Sequence, residues 1–348
     1  MELATFRDTV RHELNTFAWD QWAQLGVFAP APQQSQTAAA DPEALLLFSL
    51  ELGRDDPRLF DEVLDWLRAN QGLISVHRLR NLCIDRDDRD LADAALGWVA
   101  RWASKAKPPT ARARDREPPF PRPLFRSTKR DVTNPDPAFA AVGFLKPETE
   151  PSRKTRPLDP RAPIAFALRM RLLFGVGSRA EVIRFLFTNP SNDGTVQWIA
   201  EHAGYAKRNV SETLNALADA GVVLVYDVGN EYRYALNILG WSELLSLKAG
   251  AWPQHRDWLH LLQALRLLIR WLDDPRLDEL SPYMLASEAR RLAATIEADL
   301  NLAGISTASI PQREGEHYWD TFVQTVEQAL LLLNPYARPL REDLGRHP

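Results

Sequence analysis

Cysteine is almost absent: Cys83 stands alone in a chain of 348 residues. A single thiol excludes an intramolecular disulfide framework, and Cys83 is expected to act as a small buried hydrophobe. An excess of charge of one sign is also missing. The 42 Lys and Arg residues face 46 Asp and Glu, a net of -4. No global basic field exists, so contact with nucleic acid must come from local patches. Long apolar runs are missing too. Ala44–Leu50 is far shorter than the ~18–20 residues a membrane span needs. Met1–Leu25 lacks the basic start, apolar run and small-residue cleavage site of a secretory signal. The expectation is a soluble, cytoplasmic protein without membrane contact.

Catalytic and metal-binding patterns are equally sparse. His255-Arg256-Asp257 has the letters of a kinase catalytic loop, but Leu262 stands where that loop needs Asn. "GVGSRA" begins like a nucleotidyltransferase, yet the following "IRFLFTNPSND" reads as helix and loop, not as a strand carrying an acidic pair. His255 and His260 are five apart, on different faces of a helix, and the chain has neither an HExxH motif nor a Cys pair. "DRDDRD" (Asp85–Asp90) lacks the Gly and closing Glu of a calcium loop and reads as a solvated helix start. No enzyme activity, cofactor or metal is therefore expected. No short repeat points to a solenoid.

What is present is helix, in a chain long enough for two or three domains. Residues 1–104 read as an N-terminal helical domain. Phe6, Val10, Leu14 and Phe17 mark an amphipathic helix, and two further helices share one start signature, Asp41-Pro42 and Asp56-Pro57, in which Asp caps and Pro takes the first helical position. Gly72 is expected to end the second of these, Ser75 to start a short helix, and Leu91–Ala103 to form a longer one. "DEVLDWLRANQGLISVHRLRNLC", with His77, Arg78 and Arg80, is open to a second reading as a wingless helix-turn-helix, against a plain helical bundle. Residues 105–161 hold twelve of the 25 prolines and fourteen Lys or Arg against seven Asp or Glu. Proline at this density forbids helix and sheet interiors, so the segment reads as an extended basic arm or linker. Residues 241–348 read as a C-terminal helical domain rich in Leu and Trp, whose Trp residues are expected in the core.

Between them, residues 162–240 carry the chain's most specific pattern. Ser178 is placed to cap "RAEVIRFLFTN", whose Val182, Phe185 and Leu186 share a face. "NPSNDG" leads to a second helix, "TVQWIAEHAG", with Ile199, Ala200 and Ala203 inward and His202 closing its last turn. Gly204-Tyr205 makes a tight turn, and a third helix follows with Val210, Leu214 and Leu217 at i, i+4 and i+7. "VVLVY" and "YRYAL" form a hairpin around "DVGNE". Helix, helix, turn, helix and a two-stranded wing is the order of a winged helix-turn-helix. The fold class expected is thus mainly α, a winged helix-turn-helix of three helices plus a two-stranded wing, flanked by N- and C-terminal helical domains.

Over about sixty residues this segment resembles the winged-helix repressors of the ArsR and MarR type, whose third helix commonly reads Val-Ser-x-x-Leu-x-x-Leu-x-x-x-Gly after a polar start. The resemblance implies that the third helix enters the major groove of double-stranded DNA and presents its N-terminal residues, here Lys207, Arg208, Asn209, Ser211 and Asn215, to base edges. It implies phosphate contacts at Thr195 and Tyr205 and a wing contact at Arg233. It also implies a sequence-specific transcriptional regulator, a homodimeric repressor with one winged helix per half-site; no effector ligand is identified. Three features depart from the pattern: Ala206 stands in place of a capping Ser or Thr, Glu212 in place of a frequent Arg, and the wing tip Asp227–Glu231 is acidic.

Pro163–Gly240 balances seven Lys or Arg with seven Asp or Glu. Phosphate neutralisation must then come from the arm Lys105–Arg130, with Arg112, Arg114 and Arg116 in a minor groove. The alternative is a protein-interaction module that docks a partner through the winged helix, its arm binding nucleic acid or an acidic surface non-specifically. Replacing Arg112, Arg114 and Arg116 together by Ala is expected to weaken DNA binding without changing the preferred sequence. The slope of log K against log salt should fall by roughly one unit for each phosphate that the arm no longer neutralises. An unchanged slope makes the arm a linker.

Overall fold

A computed structural model of the chain describes residues 1–32, 37–102, 120–127, 132–247, 253–335 and 340. The protein is mainly helical, with fourteen α-helices and five short strands among the described residues. It divides into two compact units, Met1–Asp20 with Asp257–Pro348, and Gln21–Arg256. Helix α1 (Leu3–Gln24) carries the division.

Within Gln21–Arg256, α2 (Pro42–Leu52) and α3 (Pro57–Asn70) start as their residues predict. Asp41 accepts from the Ala44 amide at 3.1 Å, and Asp56 accepts from the Arg58 and Leu59 amides. All eleven residues of α2 are buried, the position an all-round apolar helix requires. Ser75 caps α4 (Val76–Asn81). Gly72 lies in a 3-10 turn, Gln71–Leu73, that follows α3. α5 (Arg86–Trp102) joins the helix start expected at "DRDDRD" to the helix expected from Leu91: Asp85 accepts from the Asp88 amide at 2.9 Å, but Asp88 and Asp90 are buried rather than solvated. Cys83 is half-buried rather than buried, its thiol donating to the Leu79 carbonyl.

The described part of the Pro-rich segment lies on these helices. Strand β1 (Arg122–Pro123) pairs in parallel with β2 (Phe144–Leu145), and α6 (Pro137–Ala140) sits between them in sequence. Phe125, Phe139 and Phe144 are buried, with Phe125 and Phe139 both 5.6 Å from the Phe60 ring. Arg126 donates to Glu51 and Asp55. Proline keeps the backbone extended, while these aromatics and Arg126 anchor it.

The chain continues through α7 (Phe166–Phe174), α8 (Ser178–Thr188), β3 (Asp193–Gly194), α9 (Val196–Ala203), α10 (Lys207–Asp219), β4 (Val223–Val228), β5 (Glu231–Leu236) and α11 (Ile238–Leu244). Val182, Phe185 and Leu186, then Ile199 and Ala203, then Val210, Leu214 and Leu217 share one core with Val223, Tyr234 and Leu236. The sheet has three strands rather than two, in the order β3-β5-β4. The third comes from the "NPSNDG" loop. Asn192 adopts a left-handed φ of 55°, and its side-chain amide donates to the Leu186, Phe187 and Asn189 carbonyls at the end of α8. Its own carbonyl accepts from Leu236 at 3.1 Å. Ser178 does not cap α8. Its hydroxyl bonds Thr213 on α10 at 2.7 Å instead.

The unit of Met1–Asp20 and Asp257–Pro348 adds α12 (Trp258–Leu272), α13 (Pro282–Leu302) and α14 (Tyr318–Leu333) to the start of α1. Asp257 and Ser281 cap the first two. Phe6 packs edge-on to Trp319 at 5.1 Å and Trp271 to Phe322 at 5.4 Å. Trp258 is buried in the core, as expected, while Trp271 and Trp319 are half-buried at its margin. No helix among the described residues is long and apolar enough to cross a membrane.

Leu214 is fully buried. Leu214→Ala is expected to cost about 2–5 kcal/mol in denaturant unfolding. A silent change contradicts the packing of α10.

Candidate functional site

Three guanidinium and three carboxylate groups are buried together beneath the α9–α10 turn. Arg78, on α4, donates from Nη1 to Asp41 (2.6 Å) and Glu43 (2.8 Å), from Nη2 to Asp41, and from Nε to the Ala203 carbonyl (2.7 Å). Arg171, on α7, grips Glu43 with two bonds of 2.6 Å and Glu181 with bonds of 2.6 and 3.0 Å. Arg184, on α8, donates to Glu181 at 2.8 Å and to the His202 carbonyl at 3.5 Å. Glu43 also accepts from the Ser75 amide. The six charges cancel, and Arg78 and Arg184 supply donors to the last carbonyls of α9, which the helix leaves without intrahelical partners.

Burial alone would raise the carboxyls of Asp41 and Glu181. For Asp41 it is outweighed mainly by Arg78, which holds the group far below its ordinary range. For Glu181 it is outweighed by Arg171, Arg184 and Arg78, which hold it down at about 2.

This cluster fixes the turn. Gly204 follows α9 with a left-handed φ of 67°, and its amide donates back to the Ala200 carbonyl at 3.0 Å. His202 closes the last turn of α9 with Nδ1 on the Trp198 carbonyl at 2.9 Å, as expected. Beyond the turn, α10 commits Val210, Leu214 and Leu217 to the core, which leaves Lys207, Arg208 and Asn215 exposed and Asn209 and Ser211 half-buried. These five therefore share one region of α10. Arg208 is not an isolated cation: its Nε donates to Glu212 one turn on, at 2.8 Å. Asn215 accepts from the Tyr234 hydroxyl at 3.3 Å.

The remaining expected residues are placed differently. Thr195 is half-buried and caps α9 by accepting from the Trp198 amide. Its hydroxyl hydrogen remains available to an acceptor. Tyr205, expected at a phosphate, is buried instead, and its hydroxyl bonds Ser75 at 3.1 Å. Burial raises its phenol pKa. The apolar ring and the cluster below it draw Tyr205 inward. Arg233, expected at the minor groove, donates to Asp193 at 2.9 Å across the sheet. Burial acts to raise the Asp193 carboxyl, but bonds from Tyr226, Ser191 and Arg233 hold it below its ordinary value.

Arg78, a candidate reader in a wingless helix-turn-helix, points into the core, and Arg80 pairs with Asp93 at 2.9 Å. Arg112, Arg114 and Arg116 lie outside the described residues. The charged cluster itself escapes a search for motifs. Its one sequence signal is the presence of Glu43 and Glu181 inside the apolar runs "PEALLLFSLEL" and "RAEVIRFLF", since a buried carboxylate demands a partner. Comparison of the chain with family models, with curated proteins and with solved structures found no match.

Arg78→Met leaves two buried carboxylates short of a partner and is expected to cost about 3–5 kcal/mol in stability. The depressed carboxyls of Asp41 and Glu181 contribute stability that is complete above the ordinary carboxylate range. It is lost as pH falls from about 4.5 toward about 2. Thermal melts across that window should show the loss in the parent protein, and a stability that stays flat down to pH 2 contradicts the ionised cluster.

Proposed function

We propose that the chain is a sequence-specific DNA-binding regulator, in which α9, α10 and the β4–β5 hairpin act as a winged helix-turn-helix and α10 enters the major groove. The observation that carries this reading is the arrangement of α10. Lys207, Arg208 and Asn215 are exposed and Asn209 and Ser211 half-buried beside a stripe committed to the core, behind a turn that the buried cluster holds in place. Arg and Lys match the acceptors of guanine, and Asn matches adenine. A basic pair at a helix N-terminus opposes the helix dipole, and a bound phosphate relieves that cost. Thr195 at the start of α9 adds a hydroxyl for the backbone. A homodimer presents two copies of α10 to a palindrome, and the arm supplies the phosphate-neutralising charge that the locally neutral module lacks.

Glu212 acts as an internal competitor for Arg208 in this scheme. It holds the guanidinium in the free protein and gives it up when a base edge or phosphate arrives. A second reading, protein docking, is favoured by one observation: Leu224, Val225, Val228 and Tyr232 of the hairpin are exposed.

Selection of bound fragments from a random duplex library should enrich a palindrome. The triple variant Lys207→Ala, Arg208→Ala, Asn209→Ala should lose that enrichment, while Glu212→Gln should tighten binding by freeing Arg208. No enrichment at physiological salt, or enrichment that survives the triple variant, contradicts a reading role for α10.

A further inference from the structure

The β4–β5 hairpin has an open edge with its own chemistry. Val228 and Glu231 close the hairpin around Gly229-Asn230, and Gly229 has a φ of 64°. In a two-residue hairpin the closing pair is hydrogen-bonded, so Tyr226–Arg233 and Leu224–Ala235 are bonded pairs as well. The pairs between them turn their backbone groups outward. The Leu236 amide confirms the register, since it donates away from β4, to Asn192. On β4 the outward groups therefore belong to Val225 and Asp227. β4 is the edge of its sheet, with no strand beside it among the described residues.

Edge strands are ordinarily protected by Lys, Pro, a bulge or a cover. β4 reads Val-Leu-Val-Tyr-Asp-Val and has no Lys or Pro. One face carries Leu224, Tyr226 and Val228, exposed by 61%, 41% and 51%. The other carries Val225 and Asp227. Asp227 and Glu231 sit exposed at the tip, and the hairpin's one cation, Arg233, is bound by Asp193. The edge strand is thus apolar at Leu224 and Val228 and carries one carboxylate, Asp227, on its other face; Glu231 lies opposite Val228 on β5 and adds to the negative charge of the tip.

We infer that β4 is a docking edge for an extended basic segment of a partner protein, which adds to the sheet as a fourth strand by β-augmentation. The alternation fixes the partner's chemistry. Its apolar side chains fall beside Leu224, Tyr226 and Val228, and the basic ones between them fall on the face of Asp227. A second copy of this chain is a poorer occupant on two counts. It brings a second Asp227 to the seam, beside a hairpin tip that is already anionic. A seam about 20 Å long and about 10 Å thick also buries only a few hundred Å2, against the ~1,200–2,000 Å2 of a stable pair of proteins. A short peptide bound transiently has no such requirement. This edge is separate from the exposed face of α10, so docking here does not depend on the DNA reading.

The test uses the full chain and three fluorescent nine-residue peptides. One alternates Val with Lys, one alternates Val with Glu, and the third is the Val/Lys peptide N-methylated at alternate residues along one edge. Fluorescence anisotropy should show binding of the Val/Lys peptide in the micromolar range, weakened by salt. The Val/Glu and N-methylated peptides should bind at least about tenfold more weakly. Val225→Pro removes an amide that faces the open edge but leaves the β4–β5 ladder intact, and should abolish binding. The double variant Leu224→Lys, Val228→Lys, which changes exposed side chains only, should abolish it independently. Asp227→Lys should reverse the preference toward Val/Glu. Equal binding of both peptides, or Val/Lys binding that survives both β4 variants, overturns the inference. So does a dimer of the chain that Val225→Pro dissociates, because the edge then belongs to a second copy. Loss of DNA selection with peptide binding intact counts against the DNA reading alone.

Discussion

The buried charge cluster is the constraint on which the Gln21–Arg256 unit depends. A single guanidinium or carboxylate placed there alone would cost several kcal/mol. Asp41, Glu43, Arg78, Arg171, Glu181 and Arg184 are tolerable only as a set, with nearly every donor matched at hydrogen-bond distance. The set draws on α2, α4, α7 and α8 and reaches the end of α9 through two carbonyls. Moving any one of these elements strands a charge. Hydrophobic packing alone would allow the N-terminal helices to slide over the central ones. A network of directional bonds does not, and this is why two segments that differ in composition behave as one compact unit.

That arrangement determines what α10 has to offer. Two arginines of the central segment, Arg171 and Arg184, are committed inward, as is Arg78 from the N-terminal helices. Arg233 is committed to Asp193, and Arg208 is shared with Glu212 on the surface. Lys207 therefore carries the least encumbered positive charge on α10, and the polar face reads as a surface for directional recognition more than for bulk attraction. In the proposed DNA reading such a surface gains specificity from Asn209, Ser211 and Asn215 and needs charge from elsewhere in the chain for affinity. The hairpin beside it has the opposite character, apolar and acidic. One small module thus presents two chemically distinct faces.

Much of this was legible in the sequence, for reasons that can be named. The helix starts at Asp41, Asp56 and Ser75 are local signals, and each holds. The stripe of Val210, Leu214 and Leu217 follows from helix period alone. What escaped depends on contacts between distant positions. Glu43 and Arg171 lie 128 residues apart, and Arg78 and Ala203 lie 125 apart. Tyr205 is placed at a phosphate by the resemblance, yet its hydroxyl bonds Ser75 at the start of a helix 130 residues away in sequence. Ser178 looked like a cap until Thr213 on α10 proved to be its partner. Strand β3 was hidden for a related reason: two residues carry no period, and only Asn192 capping the end of α8 brings them alongside β5. The exposed apolar edge of β4 was also missed, because an alternating strand looks half-buried until the sheet shows nothing beside it.

Hydrogen exchange at the α9–α10 turn, compared between the parent protein and Glu43→Gln, tests most directly whether the cluster governs the turn. Glu43 touches neither helix and reaches the turn through Arg78, Arg171 and the groups they bind, and through Ser75, which bonds the Tyr205 hydroxyl. The expected result is that amide protection from Gly204 to Val210 falls by about tenfold or more, equivalent to about 1.4 kcal/mol of local stability. Unchanged protection there, with increased exchange confined to α2, contradicts the coupling of the N-terminal helices to α10.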